Sequence, residues 1–340
     1  MKLLVTGGAG FIGSNFIRHV LTIRRDIDVV NFDKLTYAGN PESLSDLASD
    51  PRYDFVRGDI SDREAVSDVF KRGFDALVNF AAETHVDRSI EDASPFVRTN
   101  VSGSQCLLEE ARARKLPRFI HISTDEVYGS APAGGSFTED TILDPRSPYA
   151  ASKASADHFV TAYANTYGLP AIILRCTNNY GPFQFPEKLI PLMIANAQEG
   201  KMLPIYGDGM HERDWLFVED YCRAVYLALE TGKAGQIYNV SAGTPQPNLK
   251  IVRTILKHLG KPESLMLYVK DRPGHDRRYA LDSRKIRELG WQPQVSFEDG
   301  IARTIDWYRS NSSWLDHARS GEYRIYYDRH YTHRAETFKG

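Results

Sequence analysis

Short runs rich in β-branched and aromatic residues recur through the first half of the chain, and helix-length amphipathic stretches separate them. Lys2-Leu3-Leu4-Val5-Thr6, Val29-Val30-Asn31-Phe32, Tyr53-Asp54-Phe55-Val56, Ala76-Leu77-Val78-Asn79-Phe80, Phe119-Ile120-His121-Ile122 and Ala171-Ile172-Ile173-Leu174 predict strands. Between them, segments 11–23, 62–72, 95–114 and 149–167 predict helices. This alternation calls for βαβ units and a mainly parallel, doubly wound α/β sheet covered on both faces. Ligands of such sheets bind beyond the carboxyl ends of the strands, so the polar residues just after each run carry the most information.

After Leu174 the rhythm breaks. Segments 187–198 and 219–230 predict helices and Gln236-Ile237-Tyr238-Asn239-Val240 one more strand, while Asn178-Asn179-Tyr180-Gly181-Pro182 and Ile205-Tyr206-Gly207-Asp208-Gly209 read as irregular. The expectation is a sheet domain over 1–177, rejoined by about 214–241, and a smaller mixed α/β C-terminal substrate domain over 178–213 and 242–316. Residues 317–340, polar and tyrosine-rich without periodicity, are expected to form a surface tail. A chain of 340 residues with 42% hydrophobic residues can fill both cores.

The formal charge of -2 gives no general attraction to nucleic acid or an anionic membrane, so any phosphate site must be local. Cys106, Cys176 and Cys222 are far apart, no His or Cys grouping has metal-ligand spacing, and no segment approaches the ~20 apolar residues of a membrane helix. The expectations are therefore a cytoplasmic protein, no metal, no nucleic acid and no membrane partner.

Gly7-Gly8-Ala9-Gly10-Phe11-Ile12-Gly13 follows the first strand and opens the first helix. Glycines there allow a tight turn and close approach of backbone to a pyrophosphate at the helix N-terminus, which predicts a Rossmann-type dinucleotide site. Asp33 ends the second strand about 20 residues later, the spacing for a carboxylate on the adenosine ribose. It would repel a 2′-phosphate, so NAD is favoured over NADP, although Lys34 weakens the preference. Asp59-Ile60 suits adenine contacts or, equally, a helix N-cap at Asp59.

Ser123-Thr124-Asp125-Glu126-Val127-Tyr128-Gly129 sets two adjacent carboxylates beside a hydroxyl at a strand end. Tyr149 and Lys153, four apart, share one helix face. Tyrosine, with a pKa near ~10, becomes a useful base only when positive charge stabilises the phenolate. Lys153 and an oxidised nicotinamide would do that, letting Tyr149 take a hydroxyl proton while hydride leaves the same carbon, with Thr124 as a second partner.

The opening glycines, Tyr149 and Lys153 resemble the extended short-chain dehydrogenase/reductase superfamily. Within it, Thr124-Asp125-Glu126, Glu83-Thr84-His85-Val86-Asp87-Arg88-Ser89, Asn178-Asn179-Tyr180-Gly181-Pro182, Pro186-Glu187-Lys188-Leu189-Ile190-Pro191 and Asp271-Arg272-Pro273-Gly274-His275-Asp276 resemble the dTDP-glucose 4,6-dehydratase family, up to about Trp307. The resemblance implies tightly bound NAD held by Gly7, Gly10, Phe11, Ile12, Gly13, Asp33, Lys34, Thr36, Asp59, Ile60, Phe80, Ala81, Ala82, Thr99, Tyr149, Lys153 and Asn179. It implies a substrate site of Thr84, Asn178, Lys188, Leu189, Pro204, Tyr206, Arg213, Asn248, Arg272 and His275. Arg213 and Arg272 suit pyrophosphate because guanidinium offers paired donors.

It also implies catalysis by Thr124, Asp125, Glu126, Tyr149 and Lys153, a hydro-lyase acting in deoxysugar synthesis. In that scheme Tyr149 deprotonates the sugar 4-hydroxyl, Glu126 is the base at C5 and a protonated Asp125 gives its proton to the leaving C6 hydroxyl. A homodimer formed through segments 95–114 and 149–167 is implied too. His85, Asp87 and Arg88 read as a network bracing a helix start. The ending beyond His317 departs from the shorter ending expected of the family. A 4-epimerase or decarboxylase, a UDP-glucose 4,6-dehydratase and a silent NAD-binding regulator are the alternatives, and the intact set of five residues disfavours the last.

Overall fold

The computed structural model describes residues 1–271 and 274–320. Its centre is a seven-stranded sheet in the order Ile237–Val240, Ala171–Cys176, Phe119–Thr124, Ala76–Asn79, Lys2–Thr6, Asp28–Asp33, Tyr53–Arg57, parallel throughout. From Lys2–Thr6 the chain winds first toward one edge and then toward the other. The crevice where that order reverses opens beside the first glycine turn, as doubly wound sheets require. Central strands such as Lys2–Thr6 and Phe119–Thr124 are buried almost throughout, hence their unbroken apolar runs.

Helices cover both faces. Phe16 and Val20 of helix Phe11–Ile23 share one core with Tyr221 and Val225 of helix Val218–Thr231. On the other face Val66, Phe70, Leu107 and Val160 pack against Leu4, Leu77 and Phe119. Helix Val218–Thr231 and strand Ile237–Val240 thus return to the central sheet after an excursion. A separate core holds the rest together, with Ile190, Ile194, Phe217, Ile251, Ile301 and Trp314 among its buried residues.

The structure departs from the sequence expectations in four places, the first being that Ile205-Tyr206, expected to be irregular, ends strand Leu203–Tyr206, parallel to Met266–Val269. Segment 95–114 is not one α-helix: a π-helical turn, Val97–Gly103, precedes helix Ser104–Ala113. Such wide turns are frequent at functional sites because they re-aim side chains, and here the turn carries Thr99 and Asn100. Asn178–Tyr180, expected to be irregular, forms a short strand parallel to Trp215–Phe217. Helix Ser312–Ala318 extends past the expected start of the tail, because Trp314, Leu315 and Ala318 are buried in the second core and Trp314 Nε1 donates to Ser43 Oγ at 3.2 Å. The tail proper lies outside the described residues.

Candidate active site

Gly7 adopts φ +68°, and a Cβ there would lie 2.5 Å from the Ala81 nitrogen. A Cβ on Gly13 would stand 2.3 Å from the Gly7 carbonyl oxygen. The turn can therefore be this tight only with glycine. Gly10 caps helix Phe11–Ile23 without a side-chain hydrogen bond, which leaves the helix's first amides for an anion. Asp33 is buried, and its carboxylate accepts from Ala9 N (2.9 Å) and Leu35 N (2.8 Å), so it braces the turn as well as facing the cavity. Lys34 Nζ lies 2.8 Å from Asp59 Oδ2, so the cation that weakened the preference against a 2′-phosphate is already paired. Asp59 is not a helix cap: Asp62 caps Arg63–Phe70, accepting from Glu64 N and Ala65 N.

A second group of residues meets at the end of strand Phe119–Thr124. Thr124 caps the 3-10 turn Asp125–Tyr128 by accepting from Glu126 N, and Gly129, at φ +79°, ends it. Facing it is helix Pro148–Tyr167, started by Ser147 as N-cap with proline in the first turn, and Tyr149 N donates to Ser89 Oγ at 3.1 Å. Asp125 is 2% exposed. Burial and the neighbouring Glu126 charge push its carboxyl up to about 8, against the opposing pull of Arg213. At neutral pH it is an acid carrying its proton, the separation of roles that two adjacent carboxyls need.

Tyr149 is also buried, and burial with the Glu126 charge drives its phenol well above 10 while a Thr124 hydrogen bond opposes the rise. The stabilising contact expected from Lys153 is not made. Its ammonium donates to the Ile122 carbonyl at 2.6 Å, and burial lowers its pKa to about 8. At about 8 the ammonium still carries its charge at neutral pH, so Lys153 acts on Tyr149 through its field rather than through a hydrogen bond.

Both groups line one cavity of about 410 Å³. Gly7, Gly10, Phe11, Ile12, Gly13, Asp33, Lys34, Thr36, Asp59, Ile60, Phe80, Ala81, Ala82 and Thr99 surround one part of it. Thr124, Asp125, Glu126, Tyr149, Lys153 and Asn179 lie along the same wall system, joined by Thr84, Asn178, Lys188, Leu189, Pro204, Tyr206, Arg213, Asn248 and His275. Arg272 lies outside the described residues. Lys188 Nζ reaches across to the Thr84 carbonyl at 2.9 Å, tying the second core to the sheet lobe. His85 caps helix Val86–Glu91 through Nδ1 and sits near buried Glu187 with Arg88, a brace around a helix start.

Some residues at or beside the cavity carried no sequence signal of their own. Thr177 donates its hydroxyl to the Asp214 carbonyl at 2.8 Å while lining the cavity. Asn100 accepts from Glu83 N and donates to the Glu83 carbonyl and to Ser152 Oγ, pinning the loop that carries Thr84 to the helix that carries Tyr149. Folding also brings His211 to Asp271 and His275, which lie about 60 residues further along the chain. The two imidazoles stack at 3.8 Å and 14°, and the facing nitrogens lie 3.2 and 2.6 Å from separate Asp271 oxygens. Nitrogens in parallel planes suit two hydrogen bonds to one carboxylate better than two bonds to one ion, so this is a brace for His275.

Comparison with known proteins agrees with this geometry. The family model described as GDP-mannose 4,6 dehydratase matches residues 4–304. The dTDP-glucose 4,6-dehydratase 1 of Escherichia coli (strain K12) is 50% identical over 98% of this chain and 100% of its own. A dTDP-glucose 4,6-dehydratase of Neisseria meningitidis is 52% identical over 95% and 98%. At 98% coverage the Escherichia coli relative extends into the stretch beyond His317, so that stretch is not peculiar to this chain.

Among solved structures, DesIV, a dTDP-glucose 4,6-dehydratase from Streptomyces venezuelae crystallised with NAD, superposes with a TM-score of 0.91 at 51% identity, covering 94% of this chain and 100% of that one. A UDP-glucose 4-epimerase from Thermus thermophilus, complexed with NAD, gives 0.85 at 32%, covering 92% and 100%. The Rossmann-type fold is thus shared with these structures, and the chain belongs to the GDP-mannose 4,6 dehydratase family, among its dTDP-glucose 4,6-dehydratases.

Proposed function

We propose that the protein is an NAD-dependent hydro-lyase converting dTDP-glucose to dTDP-4-keto-6-deoxyglucose. The observation that carries this reading is the buried Asp125, kept protonated beside Glu126 and facing the cavity that Tyr149 also lines. An epimerase needs the tyrosine alone; loss of water needs an acid and a base on neighbouring carbons.

The site fits NAD: the glycine turn leaves no room for a Cβ, the first helix offers uncapped amides, and Asp33 with the paired Lys34–Asp59 disfavours a 2′-phosphate. When bound, NAD supplies the acceptor for the C4 hydride, the donor that returns it to C6, and the positive charge that favours ionisation of a nearby phenol. Tyr149 takes the proton of the 4-hydroxyl, with Thr124 hydrogen-bonded to it. The resulting 4-ketone acidifies the C5 hydrogen, which Glu126 removes. Asp125 delivers its proton to the departing C6 hydroxyl, and water leaves. Glu126, after exchange with solvent, then returns a proton to C5, and solvent carries the proton gained by Tyr149 away and restores the one Asp125 gave up. Lys153, fixed on the Ile122 carbonyl, holds its ammonium beside this machinery.

The sugar and diphosphate belong against Thr84, Asn178, Lys188, Arg213, Asn248 and His275, so the second core forms the substrate lobe and the sheet the cofactor lobe. Three buried free thiols favour a reducing, cytoplasmic setting, and among the described residues no helix is long and apolar enough to cross a membrane. Val97, Phe159 and Tyr167 are exposed on the segments assigned to a homodimer contact.

Incubation with dTDP-glucose in deuterated water tests the reading. The expected product is a 4-keto-6-deoxy sugar labelled at C5 with no net reduced cofactor, and dTDP-galactose with no C5 label would overturn it in favour of epimerisation. Parallel turnover of UDP- and GDP-glucose tests the nucleobase, with dTDP-glucose expected to give the highest kcat/KM.

A further inference from the structure

Beneath the cavity floor, four buried polar residues join the elements that bear the reactive groups. Arg175 and Asp157 are 3% and 1% exposed, and Arg175 Nε donates to Asp157 Oδ2 at 2.8 Å. Arg175 Nη1 donates to Tyr128 Oη, also at 2.8 Å, with the guanidinium 4.8 Å from the centre of the tyrosine ring. Tyr128 Oη in turn donates to Asn239 Oδ1 at 2.9 Å. None of the four lines the cavity.

Their placement is the informative part. Asp157 stands one helical turn past Lys153 and two past Tyr149, on the same face. Tyr128 closes the turn that begins with Asp125 and Glu126. Arg175 pairs with Ser123 in the strand register, next to Cys176 paired with Thr124. His121, whose Nε2 lies 3.7 Å from Asp157 Oδ1, is held neutral by burial and by the Lys153 and Arg175 charges, so Arg175 is the hydrogen-bonded cation on Asp157. A buried ion pair is a poor source of stability, because desolvation consumes most of its Coulomb energy, and its best-attested use is to fix one arrangement among several.

We propose that Asp157, Arg175 and Tyr128 are positioning residues that register the Asp125–Glu126 turn against the helix carrying Tyr149 and Lys153, so that oxidation at C4 and elimination across C5–C6 act on one sugar pose. The inference rests on the dehydratase reading above. Tyr149 and Lys153 keep their place when the link is cut, because Ser147, Ser89 and Ile122 hold them independently. The Asp-Glu turn loses its hydrogen-bonded tie to that helix and keeps only apolar packing around Tyr128 and the Asp144 N bond to the Val127 carbonyl. Elimination therefore fails before oxidation does.

The test is Tyr128→Phe in the NAD-loaded enzyme, followed by stopped-flow absorbance of reduced cofactor and by C5 deuterium uptake. A displacement of about 1 Å costs on the order of a hundredfold, so kcat should fall about 10- to 100-fold with KM within about threefold, while reduced cofactor accumulates during turnover and C5 labelling slows in step with kcat. Arg175→Lys retains a cation for Asp157 but withdraws the Tyr128 contact, and it should act in the same direction. Because both remove one link, the double variant should be no worse than the stronger single one. An unchanged kcat, equal slowing of cofactor reduction and elimination, or additive effects overturn the proposal. Failure of the dehydratase reading itself would instead be visible in the unsubstituted enzyme, as absence of the 4-keto-6-deoxy product.

Discussion

Asp125→Asn removes the proton-linked cost of burying a carboxyl while keeping its shape. The carboxyl stands at about 8 in the folded protein against 3.8 in a free chain. A group with a raised folded pKa loses stability as pH climbs from the unfolded to the folded value, at about 1.4 kcal/mol per pH unit. The cost is therefore absent below about pH 4, near 4 kcal/mol at pH 7 and level at about 6 kcal/mol above pH 8, as an order of magnitude. The substituted amide does not titrate, and any hydrogen bond it loses shifts stability equally at every pH. The stability of the substituted enzyme relative to the parent should accordingly rise by about 2–3 kcal/mol between pH 6 and 8, a Tm difference of a few degrees for a chain of this size, and then plateau. Differential scanning fluorimetry on both NAD-loaded proteins measures it. A difference that is flat with pH means Asp125 is already ionised at neutrality, which refutes its assignment as the acid. The same proton governs rate: kcat of the parent should fall about tenfold per unit above pH 8, and Asp125→Asn should lose about 10²- to 10⁴-fold at pH 7.

Glu126→Gln should abolish C5 deuterium exchange yet leave single-turnover reduction of the cofactor within about tenfold of the parent, and loss of both together contradicts the division of roles. Gly13→Ala sets a Cβ 2.3 Å from the Gly7 carbonyl oxygen, so the purified protein should carry less than a tenth of the parent's NAD by absorbance after denaturation, and a full complement would refute the tight-turn argument. Gly300→Ala places a Cβ 2.0 Å from the buried Tyr180 hydroxyl. Overpacking of that kind costs about 1–3 kcal/mol, so Tm should drop measurably, and no change in Tm would show that the Tyr180 core can give way.

The sheet is legible in the sequence because its inner strands are buried on both faces, which forces long apolar runs, and because the glycine turn and Asp33 lie close to one another along the chain. Local spacing likewise puts Tyr149 and Lys153 on one face. Segment 95–114 has the pattern of a plain helix, yet a π-helical turn is imposed by what Asn100 must reach, residues 83 and 152, the second far away in sequence. Helix spacing assigns Lys153 to the phenol, but its side chain turns to Ile122, a partner supplied by the neighbouring strand. Composition and order along the chain thus determined the layers and the dinucleotide turn, consequences of periodicity and of contacts within a turn or two, while family resemblance singled out the candidate catalytic side chains. Tertiary structure alone decided their protonation and aim. Burying Asp125 beside Glu126 raises a carboxyl to about 8, and only the packing of strand, turn and helix creates that desolvation.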